Sequence, residues 1–299
     1  MNSLSTDRVA GPQSRDPCLP IRYSSSMSRT VIAIPHAATA LPTELQERLG
    51  DHVNEDYLRR FSDVDTDKVY ALPNVRAVHF EWSRYLVDPN RAEHQMSSGG
   101  VVPIDCFDLR ALYRPGHEPD DEERKERVRR YHRPYHLEVN RQVRDAQTAF
   151  FIDGHSMAGV APPRTANPGE PRPDAVLSNL GDANGNPTPG TPFLSCPPSL
   201  CRYAGERLGH WMQKIPLPPG PQQNQLQRRI TLNTPFPGGY GVRTHTSPSR
   251  GIPGVQLELN QQLWVDEESF VPIPGRIDWI REVLSHWIED LIERRLDAT

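Results

Sequence analysis

Histidine, carboxylate and arginine side chains recur in this chain where apolar, β-prone runs stop. His36 follows Thr30–Ile34 (TVIAI) after a single proline, and Asp153 and His155 follow Ala149–Ile152 (AFFI). Arg84 and Arg91 bracket the short apolar run Tyr85–Val87 and the tripeptide Asp88-Pro89-Asn90. Asp63 and Asp67 stand four residues apart in a helical pattern, and Glu258 lies near the end of Val255–Leu259 (VQLEL). Two imidazoles and one carboxylate are the donor set of a catalytic Zn²⁺, which keeps a fourth position for water and lowers that water's pKa. His36, His155 and one of Asp63 or Asp67 supply that set. A glutamate inside an apolar strand must be paired, desolvated or at an edge, and desolvation lifts its pKa into the range where it takes and returns a proton near neutral pH. Arginine forks bind a carboxylate through two parallel hydrogen bonds. Singly, each motif also reads as an ordinary cap, loop residue or solvated charge. Together they describe metal-assisted hydrolysis of a carboxylate-bearing substrate. No HExxH is present, so the site is not of the thermolysin type.

Such side chains meet only if the strands are neighbours. Thr30–Ile34, Val75–Trp82, Tyr85–Val87, Ala149–Ile152, Ile230–Leu232 and Val255–Leu259 are predicted strands. Leu41–Leu49, Asp63–Leu72 (with Asp63 or Asp65 as N-cap), Asp120–Val143 (interrupted near Pro134), Leu200–Met212 and Ile277–Leu296 are predicted helices. Residues 92–122, 160–200 and 235–250 read as loops, the last rich in glycine. Strands alternating with helices predict an α/β fold with a mixed or parallel sheet. Ligands of such sheets bind beyond the carboxyl ends of the strands, which is where these side chains fall.

The 299 residues suffice for a sizeable core, although 31 prolines in polar segments hold the apolar fraction to 36%. A net charge of −4 gives no reason to expect a nucleic-acid or anionic-membrane partner. No run is long enough to span a membrane, and no signal-peptide pattern opens the sequence. Cys18, Cys106, Cys196 and Cys201 form no CxxC pair and are expected as free thiols in a reducing, cytoplasmic setting. Residues 1–27 read as a disordered arm ahead of a single domain over 28–299.

The chain resembles the N-formylglutamate amidohydrolase family. The matching pieces, in the family's order, are Pro35-His36-Ala37, Asp63-x-x-x-Asp67, Ser83-Arg84-Tyr85 with Val87-Asp88-Pro89-Asn90-Arg91, Pro134-Tyr135-His136, Asp153-Gly154-His155-Ser156, Gly238-Gly239-Tyr240 with Arg243, and Gln256-Leu257-Glu258. The resemblance implies a three-layer α/β/α, zinc-carboxypeptidase-like fold with a mixed, mostly parallel sheet. It also implies one Zn²⁺ per chain and hydrolysis of an amide beside a carboxylate in a small N-acyl amino acid. Glu258 is then the general base and acid, with Arg84 acting beside it. Arg91, Asn90, Arg243, Tyr240 and His136 are the substrate-binding candidates, and one of the arginines is expected to pair with Asp88 or Asp153. Related carboxypeptidases take their first ligands from His-x-x-Glu; the residue three after His36 is Thr39, which leaves Asp63 and Asp67 as the carboxylate candidates. The rival readings are a carboxypeptidase-like or deacylase enzyme acting on a peptide or larger carboxylate-bearing substrate, and a metal-free binding protein.

Overall fold

The computed structural model describes residues 28–191, 193–226 and 228–296. The expected N-terminal arm and Cys18 lie outside the described residues. In chain order the elements are β1 (Thr30–Ile34), α1 (Thr43–Gln46), α2 (Glu55–Arg60), α3 (Thr66–Val69), β2 (Arg76–His79), α4 (Asp121–Arg127), α5 (Arg133–Val143), β3 (Phe150–Met157), β4 (Ala175–Ser178), α6 (Pro198–Lys214), β5 (Ile230–Leu232), α7 (Tyr240–His245), β6 (Gly254–Asn260), β7 (Val265–Asp266), β8 (Val271–Pro272) and α8 (Arg276–Leu296).

The main sheet has the order β2-β1-β3-β6-β4-β5, and every pairing is parallel except β4 with β6. β1, β3 and β6 are buried along their whole length because side chains cover both faces. Ile32, Phe150, Ile152, Val255 and Leu257 pack with α6 and α8 on one face. Val31, Ala33 and Phe151 pack on the other with residues from α1, α2, α5 and the 80–113 segment. A strand buried on both faces reads as a continuous apolar run, which is why these strands are legible in the sequence. The result is a mixed, mostly parallel α/β sheet between two covering layers.

From β1 the chain crosses to β2 on one side and then to β3 on the other. The carboxyl ends of β1 and β3 therefore flank a topological switch point, where an open α/β sheet forms a crevice. β3 does not stop at Ile152 as predicted. It runs to Met157, because Gly154–Met157 stay in register with Leu257–Asn260 of β6. Pairing with β1 ends at Ala33↔Asp153, so beyond that point the β1 side of β3 is open. His155 thus sits inside a strand that borders a notch, held on a rigid element.

Other departures have local causes. Tyr85–Val87 is a buried turn in which the Leu86 N–H bonds the Ser83 carbonyl at 2.9 Å, not a strand. The predicted helices at 41–49 and 63–72 shrink to α1 and α3. Pro134 does not break its helix: a π turn at Val128–His132 precedes it, and the ring sits in the first turn of α5. The 235–250 loop contains α7, whose first N–H groups are capped by distant side chains described below. β4 lies in the stretch read as loop; it is four residues flanked by Pro173-Asp174 and Asn179. No helix among the described residues is long and apolar enough to cross a membrane. Cys106, Cys196 and Cys201 are free and buried.

Candidate active site

Side chains alternate along a strand, so Asp153 and His155 of β3 share the face of Phe151. On β6, Gln256 and Glu258 stand directly opposite them, in the pairs Asp153↔Gln256 and His155↔Glu258. Gly154 between them has no room for a side chain: a Cβ there would come within 2.9 Å of the Tyr70 ring. That close approach lets the Tyr70 hydroxyl donate to the His155 carbonyl at 3.0 Å, which fixes the strand behind the histidine.

His36 lies just past β1 and is tied to Asp63 through the backbone, the Asp63 N–H bonding the His36 carbonyl at 3.0 Å. The Trp264 indole N–H, at 2.9 Å from the Val64 carbonyl, anchors the residue after Asp63. His36, Asp63 and His155 are all buried, and one donor atom from each lies within 4.8 Å of the others. His155 Nδ1 is 3.2 Å and His36 Nδ1 3.6 Å from the same atom, Asp63 Oδ2. The far nitrogens meet other groups: His36 Nε2 donates to Asp88 Oδ1 at 2.8 Å, and His155 Nε2 lies 3.3 Å from Asp153 Oδ1 and 3.3 Å from Asn90 Nδ2. Histidines that hold metals are oriented in this way, with the outer N–H on a carboxylate. With its proton on Nε2, His36 presents a bare lone pair at Nδ1, and that buried atom has no hydrogen-bond partner among the described residues. A lone pair facing a carboxylate oxygen repels it unless a cation or a proton lies between. The donor set and this orphaned atom fit a divalent cation, and two imidazoles with a carboxylate suit zinc.

Charge reinforces the arrangement. Burial alone raises the Asp63 carboxyl, but positive charge at the His36 ring, of the kind a bound cation would also supply, and the hydrogen bond from His155 outweigh it and hold Asp63 well below the usual carboxylate range. Burial lowers His155, yet Asp153 and Asp63 hold it well above its ordinary value, so a cation would take the place of its proton. Burial, reinforced by the Asp63 charge and opposed by His155, pushes Glu258 up to about 7. Gln256 Nε2 donates to Glu258 Oε1 at 2.8 Å, which aims the carboxyl from within its own strand.

These groups line a cavity of about 460 Å³. His36, Asp63, Arg84, Asn90, Arg91, His155 and Glu258 all reach it. Asp67 does not. It is exposed on α3, because the chain turns through a left-handed Asp65 (φ 56°) before the helix starts, so Asp63 and Asp67 share no helical face. Asp65 occupies the N-cap position without capping; its carboxylate bonds Arg59 and Lys68 instead. Arg243 is also outside the cavity: Val242 and His245 fill the buried side of α7 and leave Arg243 in solvent. Arg84 is committed to Asp88 at 2.6 Å, with Asp63 at 3.9 Å, and its guanidinium lies 4.7 Å over the Phe107 ring.

Asn90 is held by α7. Its Oδ1 accepts from the Gly241 N–H at 3.0 Å, and Asp153 Oδ2 accepts from the Val242 N–H at 3.0 Å. A Cβ at Gly241 would meet Asp153 Oδ2 at 2.4 Å, so the glycine is required by contact. Tyr240 and His136 sit behind Asn90 and do not line the cavity. His136 Nε2 donates to the Pro89 carbonyl at 2.9 Å, and its Nδ1 accepts from His245 Nε2 at 2.8 Å. His132 Nε2 donates to the Arg91 carbonyl at 2.9 Å. Burial, with the neighbouring imidazoles, holds His136 well below its ordinary pKa, so it is neutral. These histidines fix the carbonyls on either side of Asn90.

Arg172 reaches the cavity without having been singled out from sequence. It lies in Pro171-Arg172-Pro173, where composition signals only a loop.

A family profile for N-formylglutamate amidohydrolase matches residues 28–265. The chain belongs to the N-formylglutamate amidohydrolase family. An N-formylglutamate deformylase of Pseudomonas putida is 27% identical over 253 residues, covering 79% of this chain and 82% of that protein. One from Pseudomonas aeruginosa is 26% identical over 288 residues, covering 89% and 92%. The crystal structure of an N-formylglutamate amidohydrolase from Ralstonia eutropha shares the fold, with a TM-score of 0.70 at 17% identity over 94% of this chain and 99% of that one. The shared family and the α/β sheet agree with the resemblance stated from the motifs.

Proposed function

We propose that this family member is a zinc-dependent amidohydrolase that cleaves the amide of N-formyl-L-glutamate or a closely related N-acyl amino acid. His36, Asp63 and His155 hold the metal. The reading is carried by one observation: the buried Nδ1 atoms of His36 and His155 converge on Asp63 beside Glu258, in a cavity that also holds arginine. The names of the curated relatives support the substrate.

A divalent cation at this position supplies Lewis acidity, polarising a carbonyl and lowering the pKa of a water. The chain's own groups do the rest. Glu258 accepts the proton of the attacking water and delivers it to the nitrogen that leaves, so formate and the free amino acid are the products. Arg91 binds the carboxylate beside the amide and, with Asn90, sets the substrate's register. Asp88 and Asp153 keep the two imidazoles aimed at Asp63, and Arg84 neutralises Asp88. The buried free thiols support a reducing, cytoplasmic setting.

The test combines elemental analysis of the purified protein with release of formate from N-formyl-L-glutamate. About one zinc per chain is expected, and chelation should abolish turnover until zinc is restored. Full turnover by protein stripped of metal would refute the reading. The aromatic lining from Phe61, Phe107, Phe236 and Phe270 favours a second reading, an acyl group larger than formyl or a C-terminal peptide residue. N-acetyl and dipeptide substrates in the same assay decide between them.

A further inference from the structure

The basic side chains on and around the cavity wall differ in their partners. Arg84 bonds Asp88, and Arg59 and Lys68 bond Asp65. Arg172 is different. Its side chain lines the cavity half-buried, and among the described residues it forms no ion pair and its Nε is a buried donor without a hydrogen-bond partner. The guanidinium lies 4.9 Å over the Phe236 ring, which holds its plane and leaves its N–H edges free. The backbone is equally fixed: the Arg172 N–H bonds the Gly159 carbonyl at 2.9 Å, and the Gly159 N–H bonds Glu267 Oε1 at 2.7 Å. Glu258 and Glu267 act on the guanidinium only from beyond ion-pair distance, so a half-buried, stacked fork with a bare Nε gains from an anion that completes it. Arg91 is a second cation on the cavity wall, its guanidinium bonded among the described residues only to the Asn90 carbonyl.

We infer that Arg172 is the specificity residue for a second carboxylate, the one on the substrate's side chain, while Arg91 takes the carboxylate next to the amide. The cavity is thereby built for dianionic N-acyl amino acids with an acidic side chain over neutral ones. This rests on the proposed hydrolysis for the placement of the first carboxylate. Arg60 is the competing candidate, since it also lines the cavity, 4.9 Å over the Phe270 ring, but it is exposed and so gains less from pairing.

The experiment compares N-formyl-L-glutamate with N-formyl-L-glutamine, which differ only in side-chain charge, on the wild type and on Arg172→Gln, Arg172→Lys and Arg60→Gln. In parallel, calorimetry measures binding of L-glutamate and L-glutamine to the same proteins. The wild type should favour the acid roughly ten- to hundredfold in kcat/KM, as one charge-assisted contact allows. Arg172→Gln should bring that ratio near unity, Arg172→Lys should retain part of it, and Arg60→Gln should keep it. The binding preference should follow the same order. A preference that survives in Arg172→Gln, or is lost in Arg60→Gln, overturns the assignment. So does an equal loss on both substrates, which would mean that Arg172 acts on Glu258. An Arg172-dependent preference for glutamate binding in a protein that hydrolyses no N-formyl compound would sustain the subsite and remove the proposed reaction. Hydrolysis without that preference would do the reverse.

Discussion

Glu258→Gln separates the chemical role of this carboxyl from its structural burden. The amide is isosteric, and its oxygen still accepts from Gln256 Nε2, so the strand and the metal ligands stay in place. What changes is the ionised state. Burial, with the Asp63 charge, lifts Glu258 from 4.5 to about 7. A carboxyl whose folded pKa lies above its unfolded value stabilises the fold most below about 4.5, and that contribution is lost as pH rises through about 7. The shift corresponds to roughly 3 kcal/mol at most. The glutamine never ionises and escapes the loss. After chelation, so that only the protein's own charges act, Glu258→Gln should melt several degrees above the wild type at pH 8 and level with it at pH 4.5. With zinc restored, kcat should fall ~10²–10⁴-fold, because an amide cannot accept the water's proton. The wild type should lose kcat/KM on an acid limb at or below about 7, as the base becomes protonated. Near-normal kcat in the variant would remove Glu258 from the chemistry. A variant less stable than the wild type at pH 8 would refute the desolvation argument.

His155→Ala should abolish both zinc retention and turnover, whereas Asp67→Asn, at an exposed carboxylate, should alter neither by elemental analysis and formate assay; a His155→Ala protein with full zinc occupancy would displace His155 from the ligand set. Asp88→Asn should weaken zinc binding about 10–100-fold in a chelator competition, because His36 loses the carboxylate that orients it, and unchanged affinity would make that contact incidental. Arg84→Ala leaves Asp88 buried without its cation and should destabilise the protein by roughly 3–5 kcal/mol in urea unfolding; a loss below about 1 kcal/mol would show that the pair is solvated.

The central strands are legible because β1, β3 and β6 are buried on both faces and must be apolar throughout. Against that background His36, His155 and Glu258 stand out as polar residues at a sheet rim, and the motifs around them carry the family. The choice of carboxylate is not legible, because a spacing of four means a shared face only inside a continuous helix. The left-handed turn at Asp65 breaks that condition, and nothing local in Asp63-x-x-x-Asp67 signals it. α7 is likewise hidden: its first N–H groups are satisfied by Asn90 and Asp153, some 150 and 90 positions away, as the pairs Gly241–Asn90 and Val242–Asp153 record. The arginines sort themselves only by packing. Arg84, Arg91 and Arg243 look alike in sequence, but one is held by Asp88, one faces the cavity and one faces solvent. Arg172, from a proline-flanked loop, is set on Phe236 by the tertiary fold. Local sequence determines which side chains can do chemistry and which strands carry them. Which of them share a desolvated space depends on contacts far apart in the chain, and no local pattern encodes those.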